Sequence, residues 1–80
     1  MLRIEGHTKL TPEQAIDRAV QFFESYGLVV KGRTPAEVLL EGGGGGVDVF
    51  ARDGEKGTIV EVLSREWDNQ AKEFLHKLVH

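Results

Sequence analysis

The sequence predicts a two-layer α+β domain in which an antiparallel sheet of about five strands carries two helices on one face. Two stretches with helical spacing of apolar residues lie near the two ends of the chain. Between them, alternating or β-branched runs are separated by turn signals. The predicted order is β-α-β-β-β-β-α. Because eighty residues suffice for one hydrophobic core only, we expect a single domain over residues 1–80.

The first two elements are indicated by an alternating run and by a helix start. Residues 2–7 alternate apolar or small side chains with polar ones, as a half-buried strand does. Thr11, Pro12 and Gln14 then match a capping box with proline in the first turn. The apolar residues that follow recur every three or four positions, and Gly27 stands where a helix would stop. These signals predict a helix that begins at Pro12.

Four further strands are predicted between the two helices. Runs at residues 28–33 and 37–41 flank a Thr-Pro-Ala turn, and runs at residues 47–51 and 58–63 flank a second turn at residues 52–57. Each pair of runs is typical of a hairpin, so the four strands form a meander.

The last helix is predicted to start near Ser64, which can cap it. Trp67 shares the helical phase of the apolar residues that follow, which favours a core position over a recognition anchor. The whole order is similar to a shortened helix-grip arrangement, in which a curved sheet wraps a long C-terminal helix. The resemblance is one of topology, so it implies an architecture and no function.

Composition argues against several classes of function. Thirteen acidic and ten basic residues give a net charge of −3, and no run of Lys and Arg occurs, so we expect no nucleic-acid or membrane partner. The absence of cysteine excludes disulfides, thiolate catalysis and cysteine-ligated metals, and it fits a cytoplasmic protein. No apolar run approaches the roughly 20 residues that span a bilayer. We expect no cofactor.

Five consecutive glycines at residues 42–46 are the most unusual feature of the sequence. Glycine in regular structure costs about 0.5–1 kcal/mol relative to alanine, so the run requires an explanation. One interpretation is a hairpin loop, and another is strand backbone on which Trp67 or Phe23 packs. The third is a nest of backbone N–H groups for an anionic metabolite. That nest would involve Gly43, Gly44, Gly45 and Gly46.

Apolar residues are predicted on both faces of the sheet. If one alternating set faces the helices, the other set points outward and contains Val29, Leu39, Phe50, Ile59 and Leu63. The set expected to face the helices contains Leu28, Val30, Val38, Leu40, Val47, Val49, Val60 and Val62. A bulge in the glycine run would exchange the two faces.

The outward apolar set leaves three interpretations open. It is covered by a second copy of the chain, covered by a different protein, or harmlessly exposed. We expect a non-catalytic binding or interaction module that is homodimeric through this face. The alternative is a small ligand-binding protein or enzyme that holds an anionic metabolite at the backbone of residues 42–46.

Candidate catalytic and metal-ligating residues are sparse. Glu73, His76 and His80 have a spacing that could place two imidazoles and a carboxylate on one helix face for zinc or nickel. We favour the interpretation that His7, His76 and His80 are surface histidines, and we expect no metal site. Because no order of nucleophile, histidine and acid stands out, no catalytic residue is expected.

Overall fold

The chain folds in the predicted order of elements. The strands are β1 (Leu2–Thr8), β2 (Val29–Thr34), β3 (Glu37–Gly42), β4 (Gly45–Gly54) and β5 (Gly57–Arg65), and the helices are α1 (Pro12–Glu24) and α2 (Asp68–Val79). In this computed structural model, which describes residues 1–79, the five strands form one antiparallel sheet in the order β1-β5-β4-β3-β2. The predicted α+β class is therefore confirmed.

Local signals fix both ends of α1. Thr11 Oγ1 accepts a hydrogen bond from Gln14 N at 3.2 Å, and Gln14 Oε1 accepts one from Thr11 N at 3.0 Å, which completes the predicted capping box. At the other end, Gly27 N donates to the carbonyl of Glu24 and Leu28 N donates to the carbonyl of Phe23. These two bonds are those of a Schellman motif, and they return the chain directly into the core.

The core lies between the helices and one face of the sheet. The residues predicted to face the helices are buried, except Val30, which is half-buried. The pairing of β2 with β3 shifts from Val30 opposite Leu40 to Gly32 opposite Leu39, so Lys31 is the extra residue of a bulge. The buried residues of the sheet and of both helices form one hydrophobic core. Its sheet residues include Val38, Leu40, Val47, Val49, Val60 and Val62, and its helix residues include Ile16, Ala19, Phe23, Ala71 and Phe74.

The glycine run forms a tight hairpin turn that continues into both strands. Gly43 and Gly44 are the turn, with φ angles of +56° and +81°, as in two-residue type I′ turns. Gly42 pairs with Gly45, and the next pair joins Glu41 to Gly46, so the register continues without a bulge. The turn is therefore shorter than the five-residue loop of the first interpretation, and the assignment of sheet faces holds.

The start of α2 differs from the prediction. The helix begins at Asp68, whereas β5 continues through the predicted cap Ser64. The buried Ser64 hydroxyl accepts a hydrogen bond from Trp67 N at 3.1 Å and donates one to Asp68 Oδ1 at 3.0 Å. Glu66, at φ +71°, turns the chain between strand and helix. Ser64 thus stabilises the helix entry from the end of a strand, and Trp67 precedes the helix.

Neither helix in residues 1–79 combines the length and the apolar character that a membrane-crossing segment needs.

Candidate functional site

The side of the sheet without helices, here called the open face, carries the five outward apolar residues. Phe50 lies on the central strand β4, and the strand registers place Ile59, Leu63 and Leu39 at positions diagonal to it. Val29, on the edge strand β2, is in turn diagonal to Leu39. Because diagonal neighbours in an antiparallel pair lie about 7–8 Å apart, long side chains at these positions can touch. The five residues therefore form one diagonal apolar band.

The apolar band is only partly accessible to solvent. Phe50, Ile59 and Leu63 are half-buried, whereas Leu39 is 36% exposed and Val29 is 56% exposed. The most exposed part of the band thus lies toward β2 and β3.

Charged residues alternate with the apolar band across the open face. Phe50 lies between Glu61 and Glu37 in its row of the sheet, and Leu63 lies between Arg3 and Asp48. On a surface of this kind, apolar residues can supply contact area and charged residues can supply electrostatic selectivity for a partner.

Three ion pairs join strands on the open face; two link neighbouring strands, and the Arg52–Glu5 pair reaches from β4 to β1 across β5. They are Arg3–Glu61 at 2.6 Å, Arg65–Asp48 at 3.2 Å and Arg52–Glu5 at 3.4 Å. Each involves side chains with solvent access, so each contributes about 0–1 kcal/mol at most. Glu37 and Glu41, both on β3, form no ion pair with any residue of the described chain. The β3 half of the face is therefore left with unbalanced negative charge.

Trp67 covers the glycine hairpin. Its indole Nε1 donates a hydrogen bond to the carbonyl of Gly42 at 2.9 Å, and a carbon of its ring lies 3.0 Å from the position that a Cβ on Gly43 would take. On the adjacent strand, a Cβ on Gly45 would lie 2.0 Å from the carbonyl oxygen of Arg65. The absence of side chains thus permits close packing by an aromatic ring and by a neighbouring backbone.

Two of the four glycines predicted to form an anion nest belong to a strand. Gly45 and Gly46 are strand residues of β4, and Gly46 pairs with Glu41 on one side and Arg65 on the other. Within residues 42–46, the two glycines that do not belong to a strand are Gly43 and Gly44. The interpretation of this backbone as an anion site remains a prediction.

The histidines do not form a metal centre within residues 1–79, where no group of three or more His, Cys, Asp or Glu residues is arranged to hold a metal ion. His7 and His76 are exposed, and His80, the third member of the candidate set with Glu73, lies outside the described residues. Glu73 instead accepts a hydrogen bond from the hydroxyl of Tyr26 at 3.1 Å. This hydrogen bond, with smaller contributions from desolvation and from the charge of Glu73, raises the pKa of Tyr26 above its ordinary value.

Folding also brings together basic residues that the sequence scatters. Lys9, Arg18, Lys56 and Lys77 line one cleft, although they belong to four separate segments of the chain. These residues are isolated from one another in the sequence, so no run of Lys and Arg indicates the cluster. Only the antiparallel pairing of β1 with β5 and the packing of both helices on one face bring these segments together.

Comparison with known proteins gives a similarity of fold. No known protein family matches the sequence, and no curated protein matches it. Among solved structures, the fold is similar to that of the protein SSP2350 from Staphylococcus saprophyticus, with a TM-score of 0.61 and 13% sequence identity. The match covers 92% of this chain and 77% of that protein. At this identity the likeness concerns the fold alone.

Proposed function

We propose that the chain is a small non-catalytic binding module that self-associates through the open face. The observation that carries this proposal is the diagonal apolar band centred on Phe50. Removing such a band from water is favourable by about 25 cal/mol per Å² of apolar surface. A chain of eighty residues has a small core, so burial against a partner would add substantially to its stability.

The positions of the apolar residues favour a second copy of this chain as the partner. Two sheets that pack face to face about a twofold axis along the strands place β3 of one copy against β5 of the other. Leu39 then opposes Leu63 of the second copy, because both residues share a row with Asp48. In the next row, the unpaired Glu41 opposes Arg65 of the second copy. This arrangement thus combines apolar contacts with an opposite-charge contact, and it also places Glu37 opposite Glu61, the ion-pair partner of Arg3.

The size of the open face is also suitable. A standard interface buries about 800 Å² per partner. That is about a sixth of the 4789 Å² of accessible surface of the chain. One face of a five-stranded sheet can supply such an area.

We place this module in the cytoplasm, because a cysteine-free chain is compatible with a reducing compartment. We propose no cofactor, nucleic acid or membrane for its function, since the open face carries mixed charge and the chain is acidic overall.

Sedimentation velocity of three proteins tests self-association. At about 10 μM, well above a dissociation constant of about 1 μM, the native chain should sediment as a dimer. Phe50→Glu should sediment as a monomer with unchanged far-ultraviolet circular dichroism. Val79→Glu adds the same charge at another apolar residue, 52% exposed and on the helix side, and should remain dimeric. A monomeric native chain, or equal dissociation by both substitutions, would refute the proposal.

The second candidate function is binding of an anionic metabolite at the glycine backbone. It is favoured by the left-handed backbone of Gly43 and Gly44 and by a neighbouring groove of about 520 Å³, which two cations, Lys31 and Arg65, line together with one carboxylate, Glu41. Titration with inorganic phosphate tests it through the amide chemical shifts of the two glycines. Shifts that stay unchanged at about 10 mM phosphate, a concentration that detects millimolar affinity, exclude this candidate.

A further inference from the structure

A cleft of about 490 Å³ lies at one end of the sheet, where β1 leads into α1, β4 turns into β5 and α2 ends. This basic cleft is lined by Lys9 of the β1–α1 connection, Arg18 of α1, Lys56 of the β4–β5 turn and Lys77 of α2, with His7 beside them. Acidic residues outnumber basic ones by thirteen to ten in the chain, yet no described carboxylate lines the cleft. The charges around it are therefore strongly segregated.

Most cations of the basic cleft lack a carboxylate partner. Four of the five arginines form ion pairs, whereas Arg18 forms none with another residue of the described chain. Lys9 and Lys56 likewise form no ion pair within residues 1–79, and Lys77 pairs with Glu73 at 3.3 Å. Unneutralised charges of one sign in a concave surface concentrate positive potential there, which attracts anions.

The floor of the basic cleft is apolar and held in place. Leu10, Leu78 and Val79 line it. The carbonyl of Leu10 accepts a hydrogen bond from Thr58 Oγ1 at 2.5 Å, and Leu10 N donates to Thr8 Oγ1 at 3.3 Å. Both threonines are buried, so the backbone beside Lys9 is fixed before any ligand arrives.

An apolar groove adjoins the basic cleft and shares three of its residues. This groove of about 260 Å³ is lined by Phe22 and Phe74 and shares Arg18, Lys77 and Leu78 with the cleft. Lys77 Nζ lies 5.5 Å from the centre of the Phe22 ring, within range of a cation–π interaction. A cationic end and an aromatic end are thus joined in one recess, whose volume is within the range of about 300–1,000 Å³ typical of small-molecule sites.

We propose that the basic cleft binds a small organic anion. Its phosphate or carboxylate group contacts Lys9, Arg18 and Lys56, and its apolar body lies against Phe22 and Leu78 in the adjoining groove. The cations surround a single recess and do not form a stripe, which fits a small molecule better than a nucleic-acid backbone. Phe50 does not line the recess, so Phe50→Glu tests self-association without changing the residues of this site.

Amide chemical-shift titrations with defined probes test the proposal. Phenyl phosphate and benzoate carry the two candidate head groups on an aromatic body, inorganic phosphate lacks the body, and benzyl alcohol lacks the charge. The amides of Thr8, Lys9 and Leu10 should shift with the aromatic anions and stay in place with benzyl alcohol. We expect phenyl phosphate to bind about tenfold more tightly than inorganic phosphate, and the tighter of the two aromatic anions identifies the head group.

Matched substitutions separate a site from general attraction. Arg18→Gln and Lys9→Gln should each raise the dissociation constant of phenyl phosphate about tenfold. Lys72→Gln removes an exposed cation that forms no ion pair within the described residues and lies outside both candidate sites, so it should change this constant less than about twofold. Thermal unfolding of each variant verifies that the fold is kept.

Four outcomes would overturn the proposal. The first is no shift at about 10 mM phenyl phosphate, and the second is a shift at Gly43 and Gly44 in place of the cleft. The third is equal weakening by Lys72→Gln, and the fourth is tighter binding of a single-stranded oligonucleotide than of either aromatic anion.

Discussion

The glycine hairpin gives a sharp test of the packing, because two neighbouring glycines meet very different surroundings. A Cβ added at Gly45 would lie 2.0 Å from the carbonyl oxygen of Arg65 and 2.8 Å from Glu66 Cβ. Both obstacles are fixed parts of the adjacent chain, so Gly45→Ala must push the ends of β4 and β5 apart. At Gly44 a Cβ would meet nothing within 4 Å, and the only penalty is the left-handed φ of +81°.

These surroundings translate into different losses of stability. Overpacking costs about 1–3 kcal/mol, and the nearby hydrogen bond from Trp67 to Gly42 adds about 1 kcal/mol if it is lost. We therefore expect Gly45→Ala to lower the free energy of unfolding by about 3 kcal/mol. Gly44→Ala should lower it by about 1–2 kcal/mol, the cost of a left-handed alanine.

Urea unfolding monitored by the fluorescence of the single tryptophan measures both variants. With a slope of about 1 kcal/mol/M for so small a chain, the midpoint should fall by about 3 M for Gly45→Ala and by about 1–2 M for Gly44→Ala. The slopes should agree with that of the native chain. If Gly45→Ala is no more destabilising than Gly44→Ala, the close approach of β4 to Arg65 is refuted.

Two further predictions concern hydrogen bonds near α2. Tyr26 is the only tyrosine, so absorbance at 295 nm follows its ionisation alone; its pKa should exceed 10.0 and should fall toward that value in Glu73→Gln. Because the pKa of Tyr26 is raised in the folded state, the stability associated with this hydrogen bond is present below the unfolded-state pKa. It is lost as the pH rises through the folded-state pKa. A Tyr26 pKa that Glu73→Gln leaves unchanged would contradict the assignment. Ser64→Ala should lower the free energy of unfolding by about 1–3 kcal/mol, since it leaves Trp67 N and Asp68 without their buried partner. Ser25 is exposed, so Ser25→Ala should lower it by less than about 1 kcal/mol in the same urea assay. Equal costs would show that the buried hydroxyl is unimportant.

Local patterns in the sequence predicted most of the fold. The capping box at Thr11 and Gln14 involves residues three apart, so it forms wherever the backbone is free to become helical. Alternation likewise predicted which strand residues are buried, because the period of a strand does not depend on its partner. The predicted start of α2 was wrong because the helical phase of Trp67 gives no sign of the left-handed Glu66, which separates β5 from the helix.

The candidate sites differ in how far sequence could reveal them. The five residues of the apolar band follow from alternation, and the antiparallel registers bring them together. The bulge at Lys31 has no signal in the sequence, and neither has the partial exposure of Val30, which lies on the edge strand β2. The basic cleft depends on contacts between four segments that are distant in the chain, so only the tertiary structure shows it.

An isotope-filtered nuclear Overhauser experiment on a mixture of labelled and unlabelled chains tests the central claim most directly. Self-association through the open face predicts contacts between copies from the Phe50 ring and from the methyl groups of Leu39 to those of Leu63. No such contact should involve the helix residues Phe22 or Val79. Intermolecular contacts that arise from the helices, or none at concentrations where every other measure gives a dimer, would contradict the account, as would a chain that is monomeric throughout.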